Sequence, residues 1–208
     1  MTASDHLVLI VDDDSRVREG VQELMSAAGL CSVTFGSAAE YIAYPKPAVP
    51  ACLILDVELP DVSGLDLQQQ IREGPPIIFV TGHGDIASTV RAIKAGALDF
   101  MTKPFDDGEL LELVQAALAL DRERRAARAK LDCLRRRVES LTAREREVFP
   151  LVASGLLNKQ AAVYLGISEV TFQIHRTHVM RKMRADSLPD LVRMAASLHI
   201  PVAHTRHG

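Results

Sequence analysis

Residues Leu7 to Asp14, LVLIVDDD, pass from five apolar side chains straight into three aspartates. A short apolar run with β-branched residues suits a strand buried on both faces, as in a parallel sheet. The carboxylates then emerge at its C-terminal end, the edge at which open α/β sheets bind ligands. Adjacent carboxylates repel one another unless a cation joins them, and hard oxygen donors in such a cluster favour Mg²⁺. A further carboxylate and an anion-binding cation are therefore expected downstream.

After the aspartates, Ser15 to Ala28 carries Val17, Val21, Leu24 and Met25 at helical spacing, and Gly29 closes the helix. CSVTF (31–35) is a short strand, and Ser37 with Glu40 forms a capping box for a second helix. Cys52 to Leu55 is another buried strand and ends at Asp56; LPDVSG (59–64) turns into a helix that runs to Arg72. Pro76 to Val80 is a strand ending at Thr81 and Gly82, and a helix from Asp85 to Ala95 is closed by Gly96. Leu98 to Met101 leads to Lys103 and Pro104, and a last helix of this half begins near Asp106. Five βα repeats imply a parallel sheet covered by helices on both faces.

Strand ends thus carry Asp12, Asp13 and Asp14, then Asp56, Thr81 and Lys103. Acyl-phosphate formation needs this set. A carboxylate attacks phosphorus, a divalent cation neutralises the reacting oxygens, a lysine holds the phosphoryl group and a hydroxyl bonds one of its oxygens. Any one aspartate at a strand end can be only a helix N-cap; so many, each at a strand's C-terminal end, are not explained that way. Asp14 reads as the cap of the first helix, and His83, on a Gly-flanked loop, as a solvated histidine.

Charge divides the chain. Residues 1–120 hold seven Lys and Arg against eighteen Asp and Glu, a balance of −11, while residues 121–208 hold seventeen against nine, a balance of +8. Two domains with different partners follow, the basic one a candidate for nucleic acid. Three cysteines without ligand spacing fit a reduced cytoplasm better than a disulfide framework. The opening apolar run is too short for a signal peptide or a membrane span.

Beyond Asp106, Leu110, Leu113, Ala117, Leu120, Arg124, Ala127, Leu131, Leu134, Val138 and Leu141 recur alternately three and four apart, a heptad seam with one charged member. It reads either as a coiled coil joining two protomers or as an amphipathic linker helix packed on its own domain. Thr142 and Glu145 form a further capping box. Asn158 to Leu165 and a longer helix capped by Ser168 and running to about Arg184 describe a helix-turn-helix, with a last helix over 187–198. Pro150 falls inside the first helix of this part and predicts a kink.

The motifs IVDDD, ILDVELPDVSG, FVTGHGD, AGALDF and KPF, in that order, resemble the receiver domain of two-component response regulators, most closely the FixJ-like branch. The segment from LTAREREVF to LVRMA resembles the LuxR/NarL-type DNA-binding domain, with Leu157 where a small polar residue is usual and Gln173 where a charged one is common. The segment between Ile71 and Pro76 looks short for the family. The resemblance implies α/β plus all-α architecture: a five-stranded doubly wound, flavodoxin-like parallel receiver over 5–120, a helical linker over 121–139, and a four-helix LuxR-type helix-turn-helix domain over 140–204. It implies Asp56 as phosphoacceptor and Mg²⁺ on Asp13, Asp56 and the backbone carbonyl of Glu58, with Asp12 acting through water. Lys103 then pairs with the phosphoryl group, Thr81 is the switch hydroxyl, and Phe100 is the aromatic that reports the state of the site.

The implied partners are a sensor histidine kinase, double-stranded promoter DNA, a second copy of the chain on phosphorylation, and RNA polymerase, with no membrane and a cytoplasmic location. On the second helix of the motif, Phe172, His175, Val179 and Met183 share an inward face. Gln173, Ile174, Thr177, His178 and Arg181 face outward, with Thr171 near the start of the helix. Gln173 suits adenine and Ile174 a thymine methyl. Arg176, Lys182, Lys159 and Asn158 suit phosphates. Two other classes compete: a DNA-binding regulator independent of phosphorylation, and an aspartyl-phosphate phosphatase of the dehalogenase type, whose paired acids Asp12, Asp14 and Ser15 imitate only crudely.

Overall fold

The computed structural model describes residues 5–71, 74–82 and 86–201. The chain divides into two compact units between Arg125 and Ala126. In the first, β1 (Leu7–Val11), β2 (Ser32–Phe35), β3 (Ala51–Asp56), β4 (Ile77–Thr81) and β5 (Asp99–Thr102) form one parallel sheet in the order β2-β1-β3-β4-β5. Between them run α1 (Ser15–Ala27), α2 (Ala38–Ala43), α3 (Gly64–Gln70) and α4 (Ile86–Lys94), and α5 (Asp107–Glu139) follows. Strand order reverses between β1 and β3, which opens a crevice at their C-terminal ends.

Alternate residues of the central strands enter opposite faces of the sheet. Val8, Ile10, Cys52, Ile54, Ile78 and Val80 pack with Val21 and Met25 of α1 and with Leu110, Val114 and Leu118 of α5. Leu9, Val11, Leu53, Leu55 and Phe79 pack with Ala38, Leu65, Leu67 and Ala92 of α2 to α4. Each large aliphatic side chain buried there contributes about 1.5–3 kcal/mol. β3 and β4 are buried at every position, so their backbones are rigid rails for the groups at their ends.

The anticipated caps are present. Asp14 Oδ1 accepts from Arg16 N at 2.9 Å. Ser37 Oγ accepts from Glu40 N, while the Glu40 carboxylate takes the amide of Gly36 rather than that of Ser37. α3 ends at Gln70, short of the expected Arg72, and α4 begins at Ile86; Arg72, His83 and Asp85 lie outside the described residues. Asp121 is buried. Its Oδ2 accepts from Ala51 N at 2.8 Å and Arg125 Nε at 2.6 Å, tying α5 to the start of β3.

In the second unit α6 (Ala143–Ala153), α7 (Asn158–Leu165), α8 (Glu169–Met183) and α9 (Leu188–Ser197) surround a core of Val148, Phe149, Val152, Ala162, Phe172, Val179 and Leu191. α6 continues through Pro150 to Ala153. Gly166, at φ +64°, makes the left-handed turn between α7 and α8 that a Cβ would strain. Members of the heptad seam at its two ends enter the two cores: Leu110, Leu113 and Ala117 join the first, Val138 and Leu141 the second, while Leu134 is also buried. Between these ends Ala127 is exposed and Leu131 half-buried. Among the described residues, no helix is long and apolar enough to cross a membrane.

Candidate functional site

The crevice at the sheet's C-terminal edge gathers the acidic residues. Val11 of β1 pairs with Leu55 of β3, so the next residues, Asp12 and Asp56, leave the sheet side by side. They are 3% and 5% exposed, while Asp13 is exposed. One carboxylate oxygen from each of the three lies within 4.8 Å of those of the other two. Lys103, one residue past β5, places Nζ 2.5 Å from Asp12 Oδ2 and 2.6 Å from Asp56 Oδ2.

The remaining carboxylate oxygens are held by backbone. Asp12 Oδ1 accepts from Asp14 N at 2.9 Å and Asp56 Oδ1 from Glu58 N at 3.0 Å. Burial pushes the Asp12 carboxyl above its ordinary value, aided by the neighbouring Asp56 charge and opposed by the bonds from Lys103. Burial works against the Lys103 ammonium too, but its bonds to Asp12 and Asp56 outweigh that and hold it above the usual lysine value.

Thr81 is fully buried at the end of β4, and its carbonyl accepts from Lys103 N at 2.7 Å. Phe100 is half-buried, its ring centroid 6.2 Å from that of Phe79. Glu58 is exposed beside Asp56. Three clustered carboxylates, which together offer hard oxygen donors, fit a divalent cation such as Mg²⁺.

Sequence reasoning missed Gly64. A Cβ on it would lie 2.1 Å from the carbonyl oxygen of Asp56, so only glycine lets α3 start this close to the acidic residue. Its one sequence signal is a glycine eight positions after Asp56. Asp61 was also passed over. Its carboxylate accepts from the amides of Ala38 and Ala39, which hold it below the ordinary carboxylate range.

On the second unit, Phe172, Val179 and Met183 of α8 are buried and His175 is half-buried with a buried Nδ1 that has no hydrogen-bond partner. Gln173, Ile174, Thr177 and Arg181 are exposed, as is Lys159 on α7. Thr171 shares a hydroxyl–hydroxyl bond with the cap residue Ser168 at 2.7 Å. Several residues expected at the DNA are otherwise engaged. Lys182 Nζ lies 2.6 Å from the buried Glu145 carboxylate and also donates to Ser140 O, and His178 Nδ1 stands 3.5 Å from Glu145. Arg176 donates to Asn158 Oδ1 at 2.7 Å, and Asn158 Nδ2 donates to Gln173 Oε1.

Residues 8–115 match the response regulator receiver domain, and residues 139–195 match the bacterial regulatory proteins of the luxR family. The chain belongs to the response regulator family. Nodulation protein W of Bradyrhizobium diazoefficiens is 50% identical over 202 residues, 96% of this chain and 89% of the relative. The response regulator protein TodT of Pseudomonas putida is 45% identical over 195 residues, 92% of this chain and 86% of the relative. The solved structure of the response regulator StyR superposes with a TM-score of 0.83 at 43% identity, covering 93% of this chain and 99% of that one. This response regulator is thus a transcription regulator with a receiver domain and a LuxR-type DNA-binding domain, in a family of regulators rather than enzymes.

Proposed function

We propose that a sensor histidine kinase supplies a phosphoryl group to Asp56, and that the phosphorylated chain dimerises and binds promoter DNA. The observation that carries this is the pairing of buried Asp12 and Asp56 under one lysine at the switch point of the sheet. The carboxylate of Asp56 attacks phosphorus; a P–O bond forms to the aspartate as the bond to the donor breaks, and the donor leaves with the electron pair. Asp13, Asp56 and the carbonyl of Glu58, with Asp12 through water, would hold Mg²⁺, which would supply neutralisation of the reacting oxygens. Lys103 turns its ammonium from the two carboxylates to the phosphoryl oxygens, and Thr81 donates its hydroxyl to one of them. Phe100, next to Phe79 across β4 and β5, follows Thr81 and alters the receiver surface at α4 and β5.

The receiver spans 5–120, the linker helix 121–139 and the DNA-binding domain 140–204. α8 enters the major groove of two symmetric half-sites, one from each protomer. Gln173, Ile174 and Thr177 meet base edges, and Lys159 and Arg181 meet phosphates. Arg176 and Lys182 give the helix positive charge even while they hold internal partners, His178 stands beside Glu145, and Thr171 lies at the leading turn. The regulator works in the cytoplasm and reaches RNA polymerase through the DNA it binds. The exposed Asp14, committed to the α1 cap, counts against a phosphatase that needs it as a second acid.

Asp56→Asn tests the reading. The variant folds as the parent does and loses Mg²⁺-dependent labelling by a small acyl-phosphate donor. Labelling at the parental level would remove Asp56 from the role, and sequence-selective DNA binding that ignores the donor would favour a regulator independent of phosphorylation.

A further inference from the structure

We propose that Asn158 is a positioning residue that sets which base Gln173 reads, making it a hydrogen-bond donor to guanine rather than the partner of adenine that the side chain alone suggests. The inference rests on α8 reading DNA, and it concerns how this chain's own residues aim that helix.

The two ends of an amide are alike in shape, so only their hydrogen-bond partners decide which is oxygen and which is nitrogen. Here a guanidinium decides. Arg176 can only donate, and its Nη1 lies 2.7 Å from one end of the Asn158 amide, which is therefore Oδ1. The other end, Nδ2, then faces Gln173 and needs an acceptor, which makes the facing Gln173 atom Oε1. The relay runs Arg176 to Asn158 to Gln173, and each step fixes the polarity of the next.

The relay is held at both ends by packed helices. α7 is anchored through buried Ala161 and Ala162, and α8 through Phe172 and Val179, both fully buried. The backbone carbonyl of Gln173 accepts from Thr177 Oγ1 at 2.9 Å, one turn on. Gln173 itself is exposed, and no described residue accepts from its Nε2. What it offers a groove is therefore two N–H groups, with the oxygen turned toward Asn158. Guanine presents two acceptors, N7 and O6, in the major groove; adenine replaces O6 with an amino group. Two donors facing an amino group lose a bond and gain a repulsion. A glutamine pairs with adenine through an oxygen and an amide nitrogen presented to the base together, and here the oxygen is turned toward Asn158 on α7.

Reversing the middle of the relay should reverse the reading. In Asn158→Asp the carboxylate still accepts from Arg176 but can no longer donate. Gln173 must then turn its Nε2 toward residue 158 and its Oε1 toward the groove, where adenine N6 is a donor. The substitution suits its place, because an added negative charge in the first turn of α7 is favourable to the helix dipole. Arg176→Leu removes the group that fixes Asn158, so both amide orientations become available.

The experiment is selection of binding sites from a random duplex library by the full chain treated with an acyl-phosphate donor. The parent, Gln173→Ala, Asn158→Asp and Arg176→Leu are run in parallel. Gln173→Ala identifies the position per half-site that depends on this residue. At that position the parent prefers guanine over adenine by about tenfold, Asn158→Asp prefers adenine, and Arg176→Leu accepts both. A parental preference for adenine there, or a preference that Asn158→Asp leaves unchanged, overturns the relay while leaving DNA binding intact. If the parent selects no sequence at all, or Gln173→Ala changes no position, the reading of α8 as the base-contacting helix fails, and the relay with it. A loss of overall affinity without a change of base at that position would mark Asn158 as structural only and would likewise overturn the proposal.

Discussion

Gly64→Ala should damage the acidic pocket without touching any of its charged side chains. The added Cβ would stand 2.1 Å from the carbonyl oxygen of Asp56, 3.0 Å from its carbonyl carbon and 3.1 Å from the Val57 Cα. A carbon and a carbonyl oxygen settle at about 3.3 Å even when weakly bonded, so the first contact must open by roughly 1 Å. Neither side yields easily. β3 is buried throughout, and Gly64 N already donates to Val57 O at 2.8 Å. Overpacking of this kind costs about 1–3 kcal/mol. The peptide that moves also carries the proposed nucleophile, and a misplacement of about 1 Å can slow a reaction by up to about 10²-fold. Urea denaturation should therefore show a lower midpoint with an unchanged slope, and labelling of Asp56 by an acyl-phosphate donor should slow by about ten- to a hundredfold. A variant matching the parent in both midpoint and labelling rate would show that the start of α3 relaxes freely, and that glycine is not needed there.

Two further outcomes concern the second unit. Burial disfavours the Glu145 carboxylate, but the bonds from Lys182 and from Thr142 outweigh it and hold its pKa at about 2, against 4.5 unfolded. Its contribution is present above pH 4.5 and is lost as pH falls toward 2, so the gap in urea midpoint between the parent and Glu145→Gln should narrow over that range; a gap independent of pH would mean that the ionised form is not what stabilises. Leu157 stands at the N-cap of α7 with no side-chain acceptor, is 69% exposed, and leaves its own amide to Gln160 Oε1. Leu157→Ser should therefore stabilise the protein by about 1 kcal/mol, read as a higher thermal midpoint, and a midpoint that falls instead would reveal packing by Leu157.

How much of this was legible depends on the range of the interaction. The strands could be read because each is a short apolar run and its last residue must emerge at the sheet edge; Asp12, Asp56, Thr81 and Lys103 follow from that alone. The caps could be read because each partner lies within four residues. Asp121 could not, because the amide it accepts is that of Ala51, 70 positions away, and within a run of charges it looks solvated. Lys182 and Glu145 are 37 positions apart, so a lysine on α8 looked suited to a phosphate when it has a buried acid to neutralise. Gly64 was quoted as part of a turn, but the reason for it lies in a loop path that brings α3 back onto β3. The heptad spacing was legible, and its two ends serve separate cores.

The arrangement around Lys103 explains why one phosphoryl group could change more than one strand. The Lys103 ammonium is shared by the carboxylates of Asp12 and Asp56, which stand at the ends of β1 and β3. A phosphoryl group on Asp56 would offer Lys103 a stronger, more highly charged acceptor than either carboxylate, so its hold on Asp12 would weaken as its hold on the Asp56 side grew. Lys103 is not free to follow alone. Its own amide donates to the carbonyl of Thr81, and Thr102 before it pairs with Thr81 across β4 and β5. A pull on the lysine head therefore acts on the same short piece of backbone that carries the buried Thr81 hydroxyl, and Phe100 lies two residues before Thr102 on that strand. The coupling needs no movement of the sheet interior, whose residues pack on both faces. It needs only that the ends of β4 and β5 shift together, and those ends are joined by a 2.7 Å hydrogen bond.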